Sequence, residues 1–301
     1  MSEREIVGTY VVTGATSGIG LALVEELLAR GATVSGVARS PERAVAQQER
    51  LEAAYPEGRI AYVLADLAIQ AEVRDAARQI EATLAAWGTD TLDGLVNNAG
   101  TFTYWQTLTP EGFETQWAVN HLAPFLLTHE LLPLLSRAKD ARVVTVSSGS
   151  HYHTKLKWAD IQLLTRYNPL RAYKQTKLAN VLFTAELNRR LGPEHPVRAV
   201  AADPGLVNTD IGAKSKSRLA RWIWSLRRRG GISPAESAAG IASLLFNPAV
   251  RESPAIYWKH GKPKDPDPYA LDEDHAWRLW EISAQMTGCT LHEGEPQEVP
   301  A

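Results

Sequence analysis

Residues 8–20 read GTYVVTGATSGIG. The first six, 8–13, form an apolar run rich in Val and Thr, the pattern of a buried parallel strand. Gly14, Gly18 and Gly20 follow, directly before a helical pattern over 19–30 that ends at Gly31. Glycines let a backbone turn sharply and approach a ligand closely. The helix start behind them offers free N–H groups and the positive end of a dipole. The spacing is GxxxGxG, and a turn that merely needs glycines would carry the same residues. Its place between a first strand and a first helix points instead to the pyrophosphate of a dinucleotide.

Outward from this turn, the chain alternates short β-rich runs with longer helical stretches. Runs at 32–37, 60–64, 92–96, 142–147 and 197–201 resemble the first, and a seventh falls near 255–258. Helical periodicity covers 70–87, 110–135 and 170–191, with a last helical segment at about 270–288 after the Pro- and charge-rich loop 262–268. Strands alternating with helices imply right-handed βαβ crossovers. The expected fold is α/β: a Rossmann-type doubly wound, mainly parallel seven-stranded sheet with helices on both faces. One domain over 1–301 suffices for a chain of 301 residues.

Bulk properties narrow the function classes. With 45% hydrophobic and 22% charged residues the chain has material for a sizeable core. Its net charge of -2 argues against nucleic acid as a partner. A single cysteine, Cys289, excludes an intrachain disulfide and a thiolate metal cage. The charged opening MSEREIVGTY is not a secretory signal, and no apolar run reaches the roughly 20 residues of a membrane span, so a cytoplasmic setting is expected.

Several residues bear on chemistry. At the end of the second strand stands Arg39, where an acidic residue would hold the adenosine ribose; a guanidinium there suits a 2′-phosphate. A solvated surface arginine is the plain alternative. Asp66, after the third strand, is placed either for the adenine amino group or to cap the next helix. Asn97-Asn98-Ala99-Gly100 follows the fourth strand and either lines the cofactor trough or simply forms a loop. Ser148, past the fifth strand, lies at the carboxyl edge where ligands bind in such sheets, although serines also make turns. Tyr173 and Lys177, spaced i, i+4, share one helix face. A tyrosine titrates at about 10, and a neighbouring ammonium is expected to lower that. Asn120 sits inside a helical pattern that an amide does not favour, so it either breaks the helix locally or is exposed.

Taken together, TGATSGIG at 13–20, NNAG at 97–100, Asn120, Ser148, Tyr173-x-x-x-Lys177, and Pro204-Gly205 followed by Thr209 resemble the short-chain dehydrogenase/reductase family. The matches keep the family's order over roughly residues 8–210, about two-thirds of the chain. The stretch Ala172-Tyr173-Lys174-Gln175-Thr176-Lys177-Leu178-Ala179-Asn180 and the 25 positions from Ser148 to Tyr173 resemble the retinol dehydrogenase-like branch, with its WW-domain oxidoreductases. The resemblance implies catalysis by Asn120, Ser148, Tyr173 and Lys177. Tyr173 is then the general acid/base and Ser148 orients the carbonyl. Lys177 binds the nicotinamide ribose, and Asn120 supports a proton relay. It further implies NADP(H) bound by Gly14, Thr16, Ser17, Gly18, Ile19, Gly20, Arg39, Asp66, Leu67, Asn98, Ala99, Gly100, Tyr173, Lys177, Pro204, Gly205, Val207 and Thr209, with no metal. One departure is Asp203, where many members carry His before Pro-Gly.

The implied reaction interconverts a small apolar ketone or aldehyde and its alcohol. Reduction of a conjugated C=C bond and a non-catalytic NADP-sensing scaffold are the rival readings; the latter usually lacks the Tyr/Lys pair. By resemblance 210–231 is a substrate lid. Its arginines, lysines and tryptophans suit a cover over an apolar substrate better than a peripheral membrane contact. A homodimer is compatible with all of this. The segment between Ser148 and Tyr173 adds His151, His153 and Trp158; the two histidines are expected to line the pocket or face solvent.

Overall fold

The computed structural model describes residues 8–206 and 232–289. Among them eight strands form one sheet: β1 (Thr9–Thr13), β2 (Thr33–Ala38), β3 (Arg59–Leu64), β4 (Gly94–Asn97), β5 (Ala141–Val146), β6 (Val197–Asp203), β7 (Tyr257–Lys259) and β8 (Lys262–Pro263). Their order is β3-β2-β1-β4-β5-β6-β7-β8. The first seven pair in parallel and β8 turns back antiparallel on β7. The sheet thus has one strand more than the seven expected. Lys262 and Pro263 lie in the stretch that reads as loop, because two residues are too few to show a period.

The strand sequences explain the layers. Side chains alternate between faces, so Val11, Leu95, Val143 and Ala199 enter one core while Val12, Val96, Val144 and Val200 enter the other. The first core is covered by α3 (Gln70–Ala86), α5 (Ala123–Arg137) and the C-terminal helix α9 (Glu273–Thr287), through Ile80, Phe125 and Trp280. The second is covered by α1 (Gly18–Leu28) and α7 (Pro234–Phe246), through Leu23, Leu27, Ile241 and Leu245. Apolar residues on both faces of every central strand are why these runs are continuous in the sequence. Strand order reverses between β1 and β4, and the crevice at their carboxyl ends is where an open α/β sheet receives its ligand.

The expected helix over 110–135 differs in form. It opens at α4 (Thr115–Trp117), where the Glu114 carboxylate accepts from the N–H groups of Gln116 and Trp117. It then passes through one wide turn, Ala118–Leu122, in which the N–H of Ala123 reaches the carbonyl of Ala118, and continues as α5 to Arg137. The amphipathic surface helix α2 (Pro41–Ala54), capped by Ser40, and α7 were not singled out from the sequence. A short helix α8 (Ala249–Glu252) precedes β7, and α6 (Pro169–Leu191) carries the Tyr173/Lys177 pair.

Candidate active site

The glycine turn is built by contacts that leave no room for side chains. Gly14 and Gly18 take positive φ of 67° and 56°, the left-handed region that favours glycine. A Cβ on Gly20 would lie 2.3 Å from the carbonyl oxygen of Gly14 and 2.5 Å from the Asn98 side-chain nitrogen. Ser17, at the start of α1, makes no side-chain cap, so the first N–H groups of that helix remain available to a ligand. A cradle of this kind fits a pyrophosphate.

The neighbouring loop is braced to it. Asn98 donates from Nδ2 to the carbonyl of Thr13 at 2.8 Å, and the N–H groups of Asn98 and Ala99 donate to Thr13 Oγ1 at 3.0 and 2.9 Å. Asn98 therefore holds the turn rather than projecting its amide freely. Thr13 is the residue that sequence reasoning missed; only its place at the head of TGATSGIG signals it. Tyr62, also unremarked, reaches from β3 across Gly36 of β2 to donate to the carbonyl of Ala15 at 3.0 Å.

Arg39 is exposed at the end of β2, one residue from the α2 cap. Asp66 accepts from the N–H of Ala68 at 3.0 Å, and the cap position of α3 belongs to Ile69, so Asp66 shapes the turn after β3 without capping the helix. Leu67 follows it, packed against the core. Gly205 has a φ of 78° and donates its N–H to the Asp203 carboxylate at 2.9 Å, directly after Pro204. Val207, Thr209 and the lid 210–231 lie outside the described residues.

The chemical groups converge from β5, α6 and the wide turn. Ser147 donates to the carbonyl of Lys177 at 2.7 Å, and Lys177 Nζ donates to the carbonyl of Val146 at 2.9 Å. These bonds pin α6 to the end of β5. The ammonium lies 5.6 Å from the Tyr173 ring centre. Ser148 lies beside the Tyr173 phenol; its Oγ donates to Ser150 Oγ at 3.2 Å and accepts from the N–H of Ser150 at 3.1 Å. Asn120 is fully buried in the wide turn; its Oδ1 accepts from the N–H of Thr101 at 2.7 Å, and its Nδ2 donates to the Thr101 carbonyl and to Thr176 Oγ1. Gly100 stands between: a Cβ there would be 3.5 Å from Asn120 Oδ1 and 3.8 Å from Lys177 Nζ. The exposed-asparagine alternative is excluded, and the local break in the helix is the wide turn itself.

One electrostatic expectation is corrected. Burial pushes Tyr173 up to about 12, with the Asp203 carboxylate adding to the rise and Ser148 opposing it. Lys177 is instead brought down to about 8 by burial. At this separation, with Nζ committed to the Val146 carbonyl, the ammonium does not offset the desolvation of the phenol. Asp203 itself accepts from Tyr257 Oη at 2.8 Å and lies 3.9 Å from Lys259 Nζ. His153 is exposed, as expected, but His151 is wholly buried and hydrogen-bonded, because the chain folds back beneath Tyr257.

The family model for short chain dehydrogenases matches residues 9–220. The chain belongs to the short-chain dehydrogenase/reductase family. It is 36% identical over 292 residues to retinol dehydrogenase 14 of Mus musculus, covering 93% of this chain and 86% of that protein. Dehydrogenase/reductase SDR family member 13 of Homo sapiens is 36% identical over 299 residues, covering 97% and 76%. Both agree with the retinol dehydrogenase-like branch. Among solved structures, angucycline C-6 ketoreductase LanV with bound NADP superposes with a TM-score of 0.67 at 26% identity, covering 85% of this chain and 97% of that one. By family the chain is an oxidoreductase, and the crevice between β1 and β4 is its candidate site.

Proposed function

We propose that the protein interconverts an apolar ketone or aldehyde and its alcohol with NADP(H), Tyr173 acting as the general acid/base. The observation that carries this reading is the convergence of Tyr173, Ser148 and Lys177 beside the glycine turn. Bound NADP(H) would supply or accept a hydride at the carbonyl carbon. Gly14, Thr16, Ser17, Gly18, Ile19 and Gly20 would hold the pyrophosphate on the N-terminus of α1, and Arg39 the 2′-phosphate. Asp66 and Leu67 would flank the adenine, and Asn98, Ala99, Gly100, Pro204, Gly205, Val207 and Thr209 the nicotinamide side. That LanV was solved with NADP supports the choice of dinucleotide.

Within this site Ser148 donates to the substrate oxygen and aligns it with Tyr173. Tyr173, its pKa raised by burial, is neutral at pH 7 and holds a proton ready for the developing alkoxide. Lys177 places a positive charge near the ring as that proton leaves. Asn120 fixes the backbone at Thr101, beneath the path between Gly100 and Lys177. Phe102 meets the Tyr173 ring edge-on at 5.8 Å, and Tyr104 packs against Phe102 at 5.1 Å, which favours an apolar substrate.

The test is NADPH oxidation over a panel of aldehydes, ketones and enones with product analysis, run beside Tyr173→Phe. Turnover of a carbonyl that falls by at least about a hundredfold in Tyr173→Phe, with NADPH affinity kept, is expected. Undiminished turnover would sink the assignment, and a saturated ketone formed from an enone would move it to C=C reduction.

A further inference from the structure

Ser148 can orient a carbonyl only if its own backbone is held. It sits where β5 ends and a single tight turn, Gly149–His151, begins. That turn is closed by modest bonds: the N–H of His151 to the Ser148 carbonyl at 3.1 Å, and the N–H of Tyr152 to the Gly149 carbonyl at 3.3 Å. A third bond reaches the same serine. His151 Nδ1 lies 2.8 Å from the Ser148 carbonyl oxygen, and His151 Nε2 lies 3.1 Å from the backbone nitrogen of Asp267.

These partners fix the state of the ring. A carbonyl oxygen only accepts and a backbone N–H only donates. Nδ1 must therefore carry the proton and Nε2 must be bare. The ring has no exposed surface and lies between Tyr152, at 4.1 Å, and Tyr257, at 4.6 Å, so neither bond can be exchanged for water.

We propose that His151, as its neutral Nδ1–H tautomer, is a positioning residue for Ser148, linking the serine's peptide to the 264–267 loop. This rests on the role given to Ser148 above. Protonation would put an N–H on Nε2 facing the N–H of Asp267, breaking that bond and leaving a charge buried. The link then opens in acid. The groups facing the imidazole are Tyr152 next to it in the chain, Asp203 from the end of β6 and Tyr257 from β7. Lys264 and Asp267 face it from the loop after β8, and Tyr173 and Lys177 from α6 lie across Ser148. Asp203 and Asp267 favour the cation, but burial outweighs them and holds the imidazole below its ordinary range, so it is neutral near pH 7.

Two variants separate the contributions. His151→Asn offers an amide N–H near the place of Nδ1 and cannot titrate, whereas His151→Phe keeps a ring and loses both bonds. Wild-type kcat for carbonyl reduction is expected to fall at acid pH. In His151→Asn it should stay within about threefold at pH 7 and lose that acid limb. In His151→Phe it should drop by more than about tenfold across the pH range, with the NADPH Kd unchanged. An acid limb that survives in His151→Asn belongs to another group, and it overturns the proposal. Full kcat in His151→Phe does the same.

Should either variant fail to fold, nitrogen-15 NMR of histidine-labelled wild-type protein reads the tautomer directly, with His151 identified by its contacts to the Tyr257 ring. A proton on Nε2, or an ordinary titration, refutes the proposal. This measurement needs no turnover, so a failed carbonyl screen would remove the reaction assigned above without deciding the state of His151.

Discussion

At the scale of single residues, two cations carry testable consequences. Arg39 is exposed where a dinucleotide-binding fold often places a carboxylate for the ribose hydroxyls. Arg39→Asp should exchange attraction for repulsion at a 2′-phosphate. NADPH affinity is expected to fall by more than about tenfold while NADH affinity holds or rises, as read by fluorescence titration with both dinucleotides. An unchanged ratio would refute the role of Arg39. Lys177 has a folded value of about 8 against an ordinary 10.5. Between those values the unfolded chain holds the proton more tightly, so this residue makes stability rise with pH across that window; below it the buried charge costs its full amount. Lys177→Met leaves the Val146 carbonyl to Asn180, which already donates to it at 3.3 Å. The variant should lose turnover yet unfold in urea with roughly 1–3 kcal/mol more stability at pH 7, a gain that shrinks towards pH 10.

At the scale of elements, the strand–turn–helix unit at the start of the chain has little tolerance. The Cβ of Gly20→Ala would meet backbone, the Gly14 carbonyl, and not the movable end of a side chain. The variant is expected to lose about 1–3 kcal/mol of stability and most of its NADPH affinity, measured by urea unfolding and by titration. Retained affinity would mean that the turn does not cradle the pyrophosphate. The wide turn at Ala118–Leu122 is the counterpart on the other side of the crevice. Its longer hydrogen bond rotates the helix enough to bury Asn120 against Thr101 and Thr176. The amide in a helical pattern was a visible oddity in the sequence; that the oddity was a bulge, with the helix resuming afterwards, depends on packing against α6.

At the scale of the molecule, the C-terminal helix α9 closes the core on the α5/α6 side. Trp280 packs edge-on against Phe125 at 4.9 Å and stacks with Phe183 at 5.9 Å, and the Arg190 guanidinium covers its ring at 4.7 Å. Trp280→Ala should cost about 3–5 kcal/mol in denaturant unfolding, since a cavity lined by α5 and α6 cannot close without moving one of them. A small loss would show that α9 is dispensable to the core.

The alternation of strands and helices, the mainly parallel sheet, the glycine turn and the placing of Tyr173 and Lys177 on one helix were legible in the chain. They follow from local rules: apolar runs on doubly covered strands, glycine where φ is positive, and helical spacing for Tyr173 and Lys177. Tertiary structure alone decided the rest. Lys177 does not lower Tyr173, because protonation depends on desolvation and distance, which spacing does not encode. Asn98 is spent on Thr13, and β8 pairs through only two residues. His151 changed most, from a histidine expected at the pocket wall or in solvent to a buried link whose tautomer is set by a carbonyl 3 positions before it and an N–H 116 positions after it. A hydrogen bond across that length of chain has no sequence signature; only the folding of the 264–267 loop beneath the serine brings its two ends together.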